Sequence, residues 1–338
     1  MDLPKYDGNI HPDEWTKDLY AYFDIRKRSM SLYNAISLVD STIKLPTGID
    51  TFEKLRNALK EDISFKIFKN TNKRKLQSLK YIPERKGGDT SKFISTFRKL
   101  CYNAEINDVE EQKKYLFKSL PNNHFDYISN EFYKRMKNVN SINELAEEFE
   151  EIVLEESELI RNGSTVALKH VASGKYLSSI SNLHYITGSG NQMVCVGNSE
   201  PDPNSLWKIY FNKELITYTD GTPIVIQHIK SNMYLVSNNS CKSPSTNHSE
   251  VICSGYAYHW DFKHSKLENH QGYLKSNDTI NLNYRNDNSY CIQGGFLRSH
   301  DIQFTIGNDT FQEVICHHER LGGNDEWCIE LIHEVKIF

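Results

Sequence analysis

Cys316-His317-His318 is the stretch of the sequence most like a metal-ligand set. Zinc takes thiolates and neutral imidazoles that converge at tetrahedral angles. Adjacent residues on a strand point to opposite faces, so Cys316 and His317 do not converge on one ion. A thiol–imidazole nucleophile could be drawn from Cys291 or Cys316 and the 13 histidines. No local signature pairs them, and a free cysteine is commonly a small buried hydrophobe. Gly188-Ser189-Gly190 has the residues to cradle a phosphate, but lacks the following helix and lysine of a phosphate loop and reads more simply as a hairpin turn. Trp207, Trp260 and Trp327 could stack on sugar rings, yet their symmetric placement argues for a shared core. No acid, base and nucleophile come together. The expectation is a protein that is not an enzyme, with no catalytic residue, metal or cofactor.

The elements that place these residues are written three times. Leu168-Lys169-His170 leads to Gly174-Lys175-Tyr176-Leu177, Ile226-Gln227-His228 leads to Met233-Tyr234-Leu235, and Leu282-Asn283-Tyr284 opens a weaker third copy that runs to Cys291. A second phrase follows each: Val194-Cys195-Val196 before Trp207, Val251-Ile252-Cys253 before Trp260, and Val314-Ile315-Cys316 before Trp327. The period is about 58 residues, a spacing to be sought before anything else. We align Val194 with Ile252 and Ile315, and Cys316 with Val196 and Cys253. Short alternating runs rich in Val, Ile, Tyr and Thr, punctuated by Asn and Gly, read as strands and hairpins. Three such units, each too small for its own core, predict a β-trefoil.

These residues resemble the MIR domain. The runs that carry the likeness are Gly174-Lys175-Tyr176-Leu177, Leu183-His184-Tyr185 through Gly188-Ser189-Gly190 to Val194, and Leu297-Arg298-Ser299-His300 through Phe304. The third unit keeps the pattern best. The first lacks its second histidine, and the second has lost the Leu-His phrase. The resemblance covers about half the chain and implies a β-trefoil, residues 164–338, that binds a glycan, peptide or protein. On its Leu-His-Ser-His loops lie His184, Tyr185, Arg298 and His300, polar and aromatic groups suited to a hydroxylated ligand. Because MIR domains accompany protein O-mannosyltransferases, a fragment related to such an enzyme is an alternative. The absence of any apolar run near the ~20 residues of a membrane span speaks against it.

Residues 1–162 follow a helical grammar. Trp15, Leu19, Tyr22 and Phe23 share one face after Pro12. Phe52, Leu55, Leu59, Ile63 and Ile67 predict one amphipathic helix from Ile49 to Phe68. Further helices are expected after Asp89, after Asp108 as far as Pro121, from Phe125 to Met136, and from a capping box at Ser141 to about Leu159. This order resembles the capsid part of retrotransposon Gag polyproteins. Its carriers are Tyr6-Asp7-Gly8 with Trp15, the Phe93–Phe97–Leu100 helix, and Leu116-Phe117-Lys118-Ser119-Leu120-Pro121. The resemblance implies an all-α, two-lobed domain that self-associates, so a homo-oligomer built by a domesticated mobile element. The cysteine and histidine spacing of a Gag zinc knuckle is missing.

Charge is segregated in this half. Eleven Lys and Arg lie between Lys66 and Lys99, and eight Glu between Ser141 and Ile160. Lys73, Arg74, Lys75, Arg85 and Lys86 would carry an alternative reading, RNA binding or packaging. A solvated helix face is the plainer account and the favoured one. The net charge of −4 names no partner, and seven cysteines in no metal spacing fit a reducing compartment. With no signal-peptide pattern at the start, a cytoplasmic protein is expected.

Overall fold

The computed structural model describes residues 3–121, 127–285 and 295–333. They form two compact units, divided between Ser157 and Glu158. Glu158 to Asn162 belong with the second unit because their backbone pairs there: the Ile160 N–H donates to the Leu274 carbonyl at 3.0 Å and the Asn162 N–H to that of Glu214 at 3.2 Å.

The first unit is helical. In chain order its helices are α1 (Pro12–Ile25), α2 (Leu32–Ser37), α3 (Phe52–Glu61), α4 (Ile63–Ser78), α5 (Thr90–Asn103), α6 (Val109–Ser119), α7 (Tyr127–Arg135) and α8 (Ile142–Ser157). Capping residues set the starts. Asp89 accepts from the Lys92 N–H at 2.8 Å, Asp108 from that of Glu111 at 3.0 Å, and Ser141 from that of Glu144 at 3.1 Å. Two separate cores result. Tyr6, Trp15, Leu19, Leu55 and Leu59 fill one. Leu76, Phe93, Phe97, Leu116, Phe132 and Phe149 fill the larger.

The single helix expected from Ile49 to Phe68 is two. Asp62 leaves helical geometry (ψ 148°) and its carboxylate accepts from the Ser64 N–H at 2.8 Å, which ends α3 and starts α4. The apolar stripe breaks there. Leu55 and Leu59 are buried, whereas Ile63 and Ile67 face solvent at 66% and 56% exposure. Phe65 and Leu76 take over as the buried face of α4. Phe125, where the fifth helix was expected to begin, lies outside the described residues.

The second unit is all β. Its strands are β1 (Thr165–His170), β2 (Leu177–His184), β3 (Gln192–Val196), β4 (Trp207–Tyr210), β5 (Val225–His228), β6 (Tyr234–Lys242), β7 (Ser249–Ser254), β8 (Trp260–His264), β9 (Asp278–Tyr284), β10 (Phe296–Ile306), β11 (Asp309–His317) and β12 (Trp327–Leu331). Six of them close on themselves. β1 pairs with β4 and β12, β4 with β5, and β9 with β8 and β12. The ring is completed between Ile224, beside β5, and Trp260 on β8 by reciprocal backbone hydrogen bonds of 2.9 and 2.8 Å. The other six form the hairpins β2–β3, β6–β7 and β10–β11, whose second strands pair with one another. A six-stranded barrel with three hairpins joined at one end is the β-trefoil topology.

The threefold repeat is visible atom by atom. Trp207 donates its indole N–H to the Leu177 carbonyl at 2.9 Å, Trp260 to Leu235 at 2.9 Å and Trp327 to Leu297 at 3.1 Å. Each indole is fully buried and lies 4.9–5.2 Å from one ring of the first repeat phrase: His228, Tyr284 and His170 respectively. The tryptophans are core. Strand pairing also sets the register of the second phrase. Ser179 lies opposite Val194, Ser237 opposite Val251 and Ser299 opposite Val314. Val194 therefore matches Val251 rather than Ile252, in step with the match of Cys316 to Val196 and Cys253. A slip of one residue would have turned every side chain of β7 to the wrong face.

Candidate functional site

The residues singled out on the MIR-like loops do not gather into one site. Tyr185 is buried at the join of the hairpins. Its hydroxyl shares its proton between the carbonyls of Val194 (3.2 Å) and Val251 (3.1 Å), and its ring stacks on Phe304 at 6.0 Å. Burial pushes the phenol well above its ordinary pKa. Arg298 is equally committed. It grips Asp325 through Nε (2.7 Å) and Nη2 (3.0 Å), reaches Glu319 through Nη1 at 2.9 Å and donates to the Arg320 carbonyl at 3.1 Å. His184 is exposed at the end of β2, opposite Gln192. His300 is half-buried, its ring 6.5 Å from that of His248, and its Nε2 has no hydrogen-bond partner among the described residues. Two of the four hold the fold together, His184 is exposed, and the unpartnered Nε2 of His300 is buried.

The other candidate clusters resolve similarly. His317 is buried and donates from Nε2 to Asp325 at 2.7 Å while Nδ1 accepts from the Glu319 N–H at 3.0 Å; His318 is exposed. Burial alone raises the Asp325 pKa, but hydrogen bonds from His317, Arg298 and the Gly322 N–H outweigh it and hold the carboxyl well below its usual range. The Gly188-Ser189-Gly190 turn holds a carboxylate of its own chain. The Ser189 N–H donates to Glu250 at 3.2 Å, and Gly188 sits at φ +74° so close that a Cβ would meet that carboxylate at 2.5 Å. Among the basic residues of the first unit, Lys73 pairs with Glu111 at 3.4 Å and Arg85 with Glu156 at 2.8 Å. Arg74 donates to the Asn70 carbonyl at 3.4 Å, and Lys75 and Lys86 are exposed.

A different constellation lies on the outer face of the β8–β9 ribbon. Leu282 on β9 and Phe262 on β8 are buried, so strand alternation sends Asn281, Asn283, Asp261 and Lys263 outward. The register sets Asp261 against Asn283 and Lys263 against Asn281. Arg285, just past β9, donates to Asp261 at 3.0 Å. These residues, with Tyr218 and Phe296 as aromatic walls, line a hollow of 310 Å³. Asn281 is fixed by a 2.9 Å bond from its amide to the Asp325 carbonyl, and Tyr218 by a 2.9 Å bond to Asp278. The Oδ1 of Asn283 is buried and has no partner among the described residues. At the matching positions the first copy carries Ala167 and Lys169, and the second Val225 and Gln227. Asn281 was thus the visible signal: it stands where the other copies carry Ala167 and Val225, whereas Asn283 is polar like Lys169 and Gln227.

Burial disfavours the protonated form of three histidines in this unit. His170 donates from Nε2 to the Asn324 carbonyl (3.1 Å) and accepts at Nδ1 from Ser173 (2.9 Å); His228 repeats this with Asn204 (3.1 Å) and Ser231 (2.8 Å). His264 accepts two backbone N–H groups at Nδ1, from Lys266 and Leu267, both at 3.2 Å. Burial lowers all three below the ordinary 6.5. A lowered histidine contributes stability that is complete above its unfolded pKa and is lost as pH falls through its folded one. The β unit should therefore hold its stability down to about pH 6.5 and lose it progressively in more acid solution, with melting falling about 2–4 °C for each kcal/mol lost. Calorimetry of the full chain between neutral and mildly acid pH checks this, and an unchanged or rising transition would contradict it.

No protein-family model matches the chain, and no curated protein matches it. Solved structures do show likeness. The SDF2-like protein from Arabidopsis thaliana is 26% identical over 51% of this chain and 94% of its own, with a TM-score of 0.43. The S. cerevisiae protein O-mannosyltransferase Pmt1-Pmt2 complex bound to the sugar donor is 18% identical over 71% of this chain and 31% of its own (TM-score 0.42). The Macrolepiota procera ricin B-like lectin in complex with lactose is 12% identical over 51% of this chain and 97% of its own (TM-score 0.32).

Proposed function

We propose that this chain is a carbohydrate-binding protein without catalytic chemistry, and that its β unit takes a hydroxylated ligand in the groove on the β8–β9 face. The observation that carries the reading is the buried, unpartnered Oδ1 of Asn283. A buried acceptor without a donor is costly, and a sugar hydroxyl would supply one if the Asn283 side chain, which lines the groove, turns its Oδ1 toward it. Around it stand an amide, a carboxylate–guanidinium pair, an ammonium and two aromatic rings. Few but well-placed polar groups between apolar walls suit a small polyol ligand. The MIR-like runs in the same half agree with a binding role. So does the use made of the nucleophile-type side chains, since burial pushes the thiols of Cys101, Cys195, Cys253 and Cys316 up to about 12, far from a reactive thiolate.

The test is titration calorimetry of the full chain against a panel of neutral sugars, followed by Asn283→Ala. Losing the acceptor should weaken binding of the best sugar by about tenfold, the effect of one hydrogen bond to a polar group left unmet. If no sugar binds, or if Asn283→Ala binds as well as the parent, the reading is wrong.

A further inference from the structure

The 310 Å³ hollow adjoins a larger one. A second hollow of 620 Å³ shares Tyr218, Lys263 and Asn281 with it. Either volume alone suits one small molecule; joined, they exceed what a single sugar ring fills. The shared wall is rigid. Tyr218 is held by Asp278 and packed against Phe262 (5.3 Å) and His270 (4.9 Å), and its ring therefore stands at the junction in a fixed orientation. The far half offers a different surface, with Leu321 39% exposed, Glu268 exposed, and His264 and His270 ring against ring at 5.2 Å. An apolar side chain beside a carboxylate and imidazole edges suits a second pyranose ring, whose C–H face and hydroxyls call for that mixture.

We infer that the ligand is a linear neutral oligosaccharide of two or more rings, one ring at Asn283 and the next beyond Tyr218 in the hollow walled by Glu268 and Leu321. This inference rests on the carbohydrate reading given above and adds the ligand's length and direction. It predicts that affinity rises with chain length. The probes are D-glucose, D-galactose and D-mannose and their linear oligomers of up to six rings, titrated into the full chain. In the series that binds, the oligomers should bind about tenfold or more tightly than the monosaccharide. The surface double variant Glu268→Ala/Leu321→Ala should remove that gain and leave the monosaccharide affinity unchanged, whereas Asn283→Ala should weaken both. Equal affinity for one ring and for several, or a double variant that keeps the gain, overturns the inference while the groove stands. Failure of every sugar to bind removes the carbohydrate reading itself, and the inference with it.

Discussion

Replacing Asp325 with alanine should destabilise the β unit by about 3–5 kcal/mol, the cost of breaking a buried ion pair from one side. Asp325 is fully buried and accepts four hydrogen bonds: from Arg298 at 2.7 and 3.0 Å, from His317 at 2.7 Å and from the Gly322 N–H at 2.6 Å. Its removal leaves the largely buried Arg298 guanidinium with Glu319 and the Arg320 carbonyl as its remaining partners among the described residues, and takes the acceptor from the His317 N–H. Asp325→Asn keeps the shape and half the acceptor capacity, so it should lose less. Denaturant unfolding of the full chain measures both. A stability within about 0.5 kcal/mol of the parent, as for an ordinary surface change, would show that the network is not what holds β10 and β11 to the loop before β12.

Trp260→Ala should cost about 3–5 kcal/mol, as for large aromatic side chains removed from a core. Trp260→Phe separates the two contributions. It keeps a ring against Tyr284 but leaves the buried Leu235 carbonyl without its 2.9 Å donor, a loss of about 1–3 kcal/mol. Because Trp207 and Trp327 make the same bond to Leu177 and Leu297, their Phe variants should lose similar amounts. One silent tryptophan among the three would mean that the threefold core is not shared evenly.

What was legible in the sequence follows the physics of each element. The trefoil was legible because three indoles have the same task, and a repeated task leaves a repeated phrase; the third acceptor, Leu297, lies beyond Cys291, where the weaker third copy was read as ending and which is outside the described residues. The break at Asp62 was not legible, because the apolar spacing of Phe52, Leu55 and Leu59 runs on into Ile63 and Ile67 as though one helix continued. Only the Asp62–Ser64 cap marks the stop. Helix α2, six residues opened by Ser31, is too short for periodicity to show. The helical unit has two separate cores, but apolar spacing of this kind occurs in any bundle and does not carry the Gag likeness.

The site was half legible. Tyr185 and Arg298 are polar residues on promising loops, and nothing nearby in the chain says that their partners are Val251 and Asp325, far along the sequence. Asn281 and Asn283 were in plain view, Asn281 where the other copies carry Ala167 and Val225. They draw notice only once the strand pairing shows that the departure faces outward into a hollow.

The account is tested most directly by ¹⁵N-resolved NMR titration of the full chain with its tightest-binding sugar. It predicts shifts confined to the two hollows, at Tyr218, Asp261, Lys263, Asn281 and Asn283 and, for a sugar of more than one ring, at Glu268 and Leu321, with their neighbours. Shifts centred instead on His184 and His300, or no shift anywhere in the β unit, would contradict it.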